Sequence, residues 1–189
     1  DKRFYEHEGV DYARTVAAAV KDIKEKKFAQ GGSTITQQLA KNMFLSSEKT
    51  LKRKIKEIRF AKAIERKLTK NQILTAYLNN LYFGNGIYGI QSAANSFFNK
   101  NASNLTTKES AILAATINNP TVFSPYKERN KVRVKTILKH MKNCGYISDI
   151  EYDLSLSEKT TLMPENGESK YWRSALEEAK NILGVSMET

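Results

Sequence analysis

A single cysteine, Cys144, among 189 residues excludes an internal disulfide and any cysteine-based metal cluster. Two histidines, His7 and His140, are too few for a metalloprotease ligand set, and no nucleophile elbow accompanies any serine. Gly31-Gly32 lacks the Gly-Lys-Ser/Thr partner of a phosphate-binding loop of the nucleotide-hydrolase type. No apolar run reaches the length of a membrane span, and no secretory h-region is present. Internal repeats and low-complexity tracts are missing too, and strand signals are scarce. The chain opens on Asp1 rather than Met, and is expected to be a piece of something longer. Its length fits one domain with a short appendage, large enough to bury a core without staples.

Acidic residues are the minority charge. Against 31 Lys and Arg stand 20 Asp and Glu, a net charge of +11, which points to an anionic partner. Most of the surplus lies between Lys49 and Lys70, where Glu57 and Glu65 are the sole acids among ten cations. Such a run is often a solvated helix face. It also fits nucleic acid, an anionic membrane surface or a phosphorylated substrate.

Helical periodicity recurs along the chain. It predicts helices over Asp11–Lys26, Thr34–Leu45 (Ile35, Leu39 and Met43 four apart) and Lys49–Leu68. In the last of these Leu51, Ile55, Ile58, Ala61, Ile64 and Leu68 fall on one apolar stripe. Thr69-x-x-Gln72 is a capping box opening a helix from Asn71 to Phe83, and Gly84, Gly86 and Gly89 then break the pattern. Ile90–Phe98, a helix capped by Thr106-x-x-Glu109 and running to Ile117, the basic Glu128–Asn143 and a short helix after Ser148-x-x-Glu151 follow. Residues 157 to 169 read as a polar linker, and Lys170–Leu183 as a last amphipathic helix around Trp172. The expected fold is mainly α with short connections. Cys144 reads as an inert packing residue, and His7 as a structural one bonded near its own segment.

Two segments carry candidate chemistry. Gly31 to Asn42 places two glycines before a helix start, then Ser33, Thr34, Gln37, Gln38, Lys41 and Asn42 on its first turns. Helix-start N–H groups favour anionic oxygens, so the segment suits a phosphate with a polar ligand beside it. The same residues also make an ordinary well-capped helix start, with Thr34-x-x-Gln37 as capping box. The second segment centres on Glu57. Arg53 and Lys54, four and three residues back, share its helix face, and Lys56 is next to it in sequence. Glu57 is either one end of a surface ion pair or a carboxylate held inside an anion-binding patch.

Five blocks together resemble the glycosyltransferase domain of class A penicillin-binding proteins and monofunctional peptidoglycan glycosyltransferases, glycosyltransferase family 51. They are Asp1-Lys2-Arg3-Phe4-Tyr5-Glu6-His7-Glu8-Gly9-Val10-Asp11, Gly31–Asn42, Arg53-Lys54-Ile55-Lys56-Glu57, Tyr77–Gly84 with Gly89 and Ala93-Ala94, and Glu109 through Ala114-Ala115 to Asn119-Pro120 with Pro125. Their order is that of the family, and they cover roughly the first 145 residues. The resemblance implies a lysozyme-like helical domain over residues 1–156. Residues 157–189 would then be a linker and helix leading toward a transpeptidase domain.

By the same resemblance the domain polymerises lipid II into β-1,4 glycan strands with inversion and release of a lipid diphosphate. The family's general-base glutamate would stand just before Asp1, so the chain as it stands is expected to be weak or inactive. Glu57 would be the second carboxylate, assisting diphosphate departure directly or through a divalent cation, Mg or Mn. Lys41, Lys49, Arg53 and Lys56 would neutralise the diphosphate, and Ser33, Thr34, Gln37, Gln38 and Asn42 would line the donor site. Implied partners are lipid II, the growing glycan strand, the membrane surface and moenomycin-type inhibitors. The implied location is the extracytoplasmic face of the bacterial cell membrane, with an N-terminal transmembrane anchor.

Two alternatives stand beside this reading. A lysozyme-like muralytic glycosidase would use two carboxylates but has no need of a dense cationic patch. A basic helical nucleic-acid-binding protein would account for the charge run, yet would leave the Gly31–Asn42 and Tyr77–Gly84 blocks unexplained. The transferase reading requires that the cationic helix bearing Glu57 face the glycine-led turn.

Overall fold

The structure, a computed structural model, describes residues 1–17, 32–45, 50–165 and 178. Lys49, Trp172 and the helix expected at Lys170–Leu183 lie outside the described residues, as does most of the helix expected from Asp11, of which residues 12–17 are helical. The chain divides into two compact units, Asp1–Asn80 and Leu81–Thr189. The described residues are mainly helical, and none of their helices is long and apolar enough to cross a membrane.

In the first unit three helices follow an irregular opening segment: α1 (Ile35–Phe44), α2 (Leu51–Lys67) and α3 (Lys70–Asn80). Thr34 and Gln37 close the predicted capping box on α1, and Thr50 caps α2 through the Arg53 N–H. On α3, Gln72 N–H donates to Thr69 Oγ1 at 3.3 Å, and Thr69 N–H donates to Gln72 Oε1 at 2.9 Å. α1 packs against both α2 and α3. Phe4, Val10, Leu39, Ala40, Ala61, Ile73 and Tyr77 are buried there, each large apolar side chain contributing about 1.5–3 kcal/mol.

The expected apolar stripe of α2 does not face the core along its length. Leu51 is 86% exposed and Ile55 61%. The stripe drifts around the helix, so that only Ala61 and the half-buried Ile58 and Ile64 point inward. The inward positions of its N-terminal half are taken by Arg53, Lys54 and Glu57 instead. On α1 the last member of the expected repeat, Met43, is likewise exposed. The opening segment lies close against α2. Gly9 has φ +85°, and a Cβ there would sit 3.1 Å from both the carbonyl carbon and the oxygen of Ala61.

The second unit begins where α3 was expected to continue. α3 ends at Asn80, and β1 (Tyr82–Gly84) pairs antiparallel with β2 (Ile87–Tyr88). The turn between them holds Gly84, Asn85 and Gly86 at φ +95°, +50° and +76°. Helical backbone cannot pass through three successive left-handed residues, so the helix stops short and a hairpin forms. Next come α4 (Ile90–Phe98), a 3₁₀ turn (Ala102–Asn104), α5 (Thr107–Thr116), α6 (Glu128–Asn143) and α7 (Asp149–Ser157). Thr106–Glu109 and Ser148–Glu151 close the predicted capping boxes.

α5 packs on α6 around Ile112, Leu113, Val134 and Leu138. The buried Asn130 of α6 donates to Phe123 O at 2.8 Å and to Ile112 O at 3.2 Å, tying the intervening loop down. Cys144 is exposed at the C-cap of α6 rather than packed. Residues 158–163, expected to begin a linker, run along this unit. Met163 N–H donates to Phe97 O at 2.9 Å, and Thr106 Oγ1 donates to Glu158 Oε1 at 2.8 Å.

Gly9→Ala combines a left-handed backbone with a backbone–backbone clash, and should destabilise the chain by about 1–3 kcal/mol. A lowered urea midpoint at unchanged slope is the expected result; an unchanged midpoint would mean that the opening segment is not seated on α2.

Candidate active site

The opening segment is stitched to the start of α1. The Asp1 carboxylate accepts from His7 Nε2 at 3.0 Å and from the Ile35 N–H at 3.0 Å. His7 Nδ1 accepts the Gly9 N–H at 3.2 Å, which leaves the proton on Nε2 to donate to Asp1. Thr34 Oγ1 donates to Gly9 O at 2.7 Å while accepting from the Gln37 N–H at 3.1 Å. Asp11 caps the helix that begins at residue 12, accepting from the Arg14 N–H at 2.9 Å, and also accepts from Nε and Nη2 of Arg3. The Arg14 N–H bond and the Arg3 guanidinium hold the Asp11 carboxyl below its usual range.

The first-turn amides of α1 are therefore largely taken. Thr34 N–H goes to Gln37 Oε1, Ile35 N–H to Asp1 and Gln37 N–H to Thr34 Oγ1. The anion at this helix start is the protein's own Asp1 carboxylate. Thr34 and Gln37 are buried, with their cap bonds satisfied internally, rather than displayed to a ligand.

Positive charge reaches the same turn from α2. Lys54 Nζ donates to Ser33 Oγ at 2.8 Å and also to Glu57 Oε1; Arg53 Nη1 donates to Glu57 Oε2 at 2.9 Å. The cationic helix and the glycine-led turn thus meet directly, as the transferase reading requires. The Glu57 side chain is 3% exposed and forms ion pairs with both Arg53 and Lys54. Arg53 Nε is buried and has no hydrogen-bond partner among the described residues.

Below this cluster, Glu65 accepts from Thr36 Oγ1 at 2.6 Å and from Lys70 Nζ at 2.8 Å. Lys70 also reaches His7 O and lies 4.8 Å from the Phe4 ring centroid.

The remaining expected site residues are spread. Gln38 is half-buried and its Oε1 accepts from Tyr77 Oη at 3.1 Å. Lys41, Asn42 and Lys56 are exposed. Lys54, not Lys56, makes the contact to both Ser33 and Glu57. Its spacing three residues before Glu57 was the available signal; adjacency in sequence misleads, because neighbours on a helix point about 100° apart. Each Glu57 oxygen accepts from one cation, Arg53 or Lys54, so a divalent metal there would share the carboxylate with two positive charges. No group of three His, Cys, Asp or Glu suited to a metal occurs among the described residues.

The family model described as Transglycosylase matches residues 1–142. Penicillin-binding protein 4 of Bacillus subtilis (strain 168) is 44% identical over 173 residues, covering 90% of this chain and 28% of that protein. A monofunctional glycosyltransferase of Staphylococcus haemolyticus (strain JCSC1435) is 44% identical over 167 residues, covering 84% of this chain and 62% of that protein. The chain thus spans less than two thirds of the length of either relative. The solved structure of Penicillin-Binding Protein 1A from Haemophilus influenzae aligns with a TM-score of 0.47 at 25% identity, over 80% of this chain and 20% of that one.

His7 titrates against this architecture. Burial, then the Lys70 ammonium, holds it below its ordinary 6.5. Between the two values the unfolded chain binds more protons, so stability is full above about pH 6.5 and falls as pH drops below it. Asp11 and Glu151, lowered from 3.8 and 4.5, act at more acid pH. The urea midpoint should fall from pH 7.5 to 5.5, and His7→Gln should flatten that fall; equal slopes for both proteins would place the proton elsewhere.

Proposed function

The chain belongs to the transglycosylase family, and from that premise we propose that it is a peptidoglycan glycosyltransferase polymerising lipid II into β-1,4 glycan strands, with inversion and release of a lipid diphosphate. The observation that carries the reading is the bridge from Glu57 through Lys54 to Ser33. It sets two cations, Arg53 and Lys54, beside a glycine-led turn. A departing diphosphate gains negative charge as the glycosidic bond breaks, and preorganised cations stabilise that charge without reorganising.

In this reading Arg53 and Lys54 receive the diphosphate, and Glu57 holds both in place until it arrives. Ser33, Gln38, Lys41 and Asn42 line the donor site; Thr34 and Gln37 shape it from within. Lys49 and Lys56 extend the positive field. The base that deprotonates the acceptor hydroxyl is the carboxylate that the resemblance places before Asp1. Bond formation at the anomeric carbon expels the diphosphate oxygen from the opposite face, which gives inversion.

Exposed Leu51 and Ile55 beside Lys52 and Lys62, and the exposed Phe44 stacked on Phe60 at 5.3 Å, suit an anionic membrane surface where a lipid-linked substrate resides. We place that surface on the extracytoplasmic face of the bacterial membrane. A transpeptidase domain further along the chain and moenomycin-type phosphoglycolipids are the other proposed partners.

The test is incubation of the full-length protein with lipid II and, separately, with finished glycan. Polymer and lipid diphosphate from the first, and an unchanged second, are expected; cleavage of finished glycan would favour the muralytic alternative. Glu57→Gln should lower polymerisation by about two to three orders of magnitude, with the circular dichroism spectrum unchanged. Near-normal turnover would remove Glu57 from the mechanism. Lys54→Ala should weaken phosphoglycolipid binding by about tenfold or more and Lys56→Ala by less than about twofold; the reverse order would move the phosphate site outward.

A further inference from the structure

Tyr77 is buried on the inner side of α3, and its hydroxyl donates to Gln38 Oε1 at 3.1 Å. No other acceptor takes this hydroxyl among the described residues. Burial pushes the Tyr77 phenol above its ordinary 10.0, so it stays protonated and stays a donor. A carboxamide has one accepting end and one donating end. A phenol donates more strongly than it accepts, so Tyr77 favours the orientation with the carboxamide oxygen toward it and the NH2 turned away.

The neighbouring Gln37 shows the contrast. Its Oε1 accepts from the Thr34 N–H at 2.9 Å, and the residue is fully buried in the α1 cap. Of the two adjacent glutamines Gln37 is buried and Gln38 half-buried, and among the described residues no acceptor takes the Gln38 NH2. Lys41 and Asn42, three and four residues further on, share its helix face and are exposed. The first-turn amides of α1 are mostly occupied, so donors on this side of α1 must come from side chains.

We propose that Tyr77 is a positioning residue that turns the Gln38 carboxamide so that its NH2 donates to an acceptor oxygen of the lipid-linked donor substrate. The assignment rests on the glycosyltransferase reading above and concerns binding more than chemistry. Without the phenol hydroxyl the amide can flip and present its oxygen to an oxygen, a repulsive contact.

The test is a double-mutant cycle on the full-length protein with lipid II, using Tyr77→Phe, Gln38→Ala and both together. Tyr77→Phe should raise KM by about fivefold, with kcat changed by less than about twofold. In the Gln38→Ala background it should add less than about a further twofold. Gln38→Glu keeps an acceptor for Tyr77 but has no donor, and should raise KM at least as much as Gln38→Ala. An unchanged KM for Tyr77→Phe, or its full effect persisting without Gln38, would overturn the assignment. So would wild-type KM for Gln38→Glu, a variant that leaves the α3 core untouched. Wild-type protein unable to polymerise lipid II would overturn the glycosyltransferase reading itself, and the assignment with it, before any variant is compared.

Discussion

A buried carboxylate must be neutralised where it sits, and the first unit is organised around meeting that demand at Glu57. Arg53 and Lys54 supply the charge from the preceding turn of the same helix. Lys54 reaches beyond Glu57 to Ser33 and so fastens α2 to the entrance of α1. A helix that would otherwise bury leucine and isoleucine along one side turns its polar residues inward here and leaves Leu51 and Ile55 in solvent. Packing alone would favour the apolar arrangement. A chain that keeps the ionic one places its strongest preorganised charge at one turn, where a polyanionic leaving group would need it.

The helix start beside that charge is shaped by a second set of contacts. Asp1, Thr34 and Gln37 occupy the amides that an incoming anion would otherwise use. In the proposed reading, recognition of the diphosphate would therefore fall to side chains: the Lys54 ammonium, the guanidinium of Arg53 and the carboxamide of Gln38. Side-chain donors can be released from one partner and passed to another; helix amides held in a cap cannot be passed on without opening the cap.

Much of the helical framework was legible because its signals are local. The capping boxes at Thr34, Thr106 and Ser148 each lie within four residues and formed as expected. The bounds of α4 and α6 also match the periodic segments. What was hidden depends on distant partners or on backbone sign. The bond from Ile35 to Asp1 spans 34 positions, and that from Thr34 to Gly9 spans 25; no local pattern announces either. The end of α3 was misread because Tyr82 and Phe83 continue an apolar pattern, while the left-handed Gly84-Asn85-Gly86 turn imposes a hairpin. Lys54 outranks Lys56 through helix phase, a quantity the sequence does contain. The exposure of Leu51 follows from tertiary choice, which it does not.

The close approach of Gly9 to the backbone of Ala61 has a mechanical side. With no side chain between them, the opening segment and α2 bear on each other main chain to main chain. A rigid shift of α2 along its axis has no soft layer to absorb it and is handed on, through Gly9 and the His7–Asp1 bond, to the entrance of α1. The Asp1 side and the Arg53–Lys54 side of the α1 entrance are thus spaced through a main-chain contact as well as through side chains.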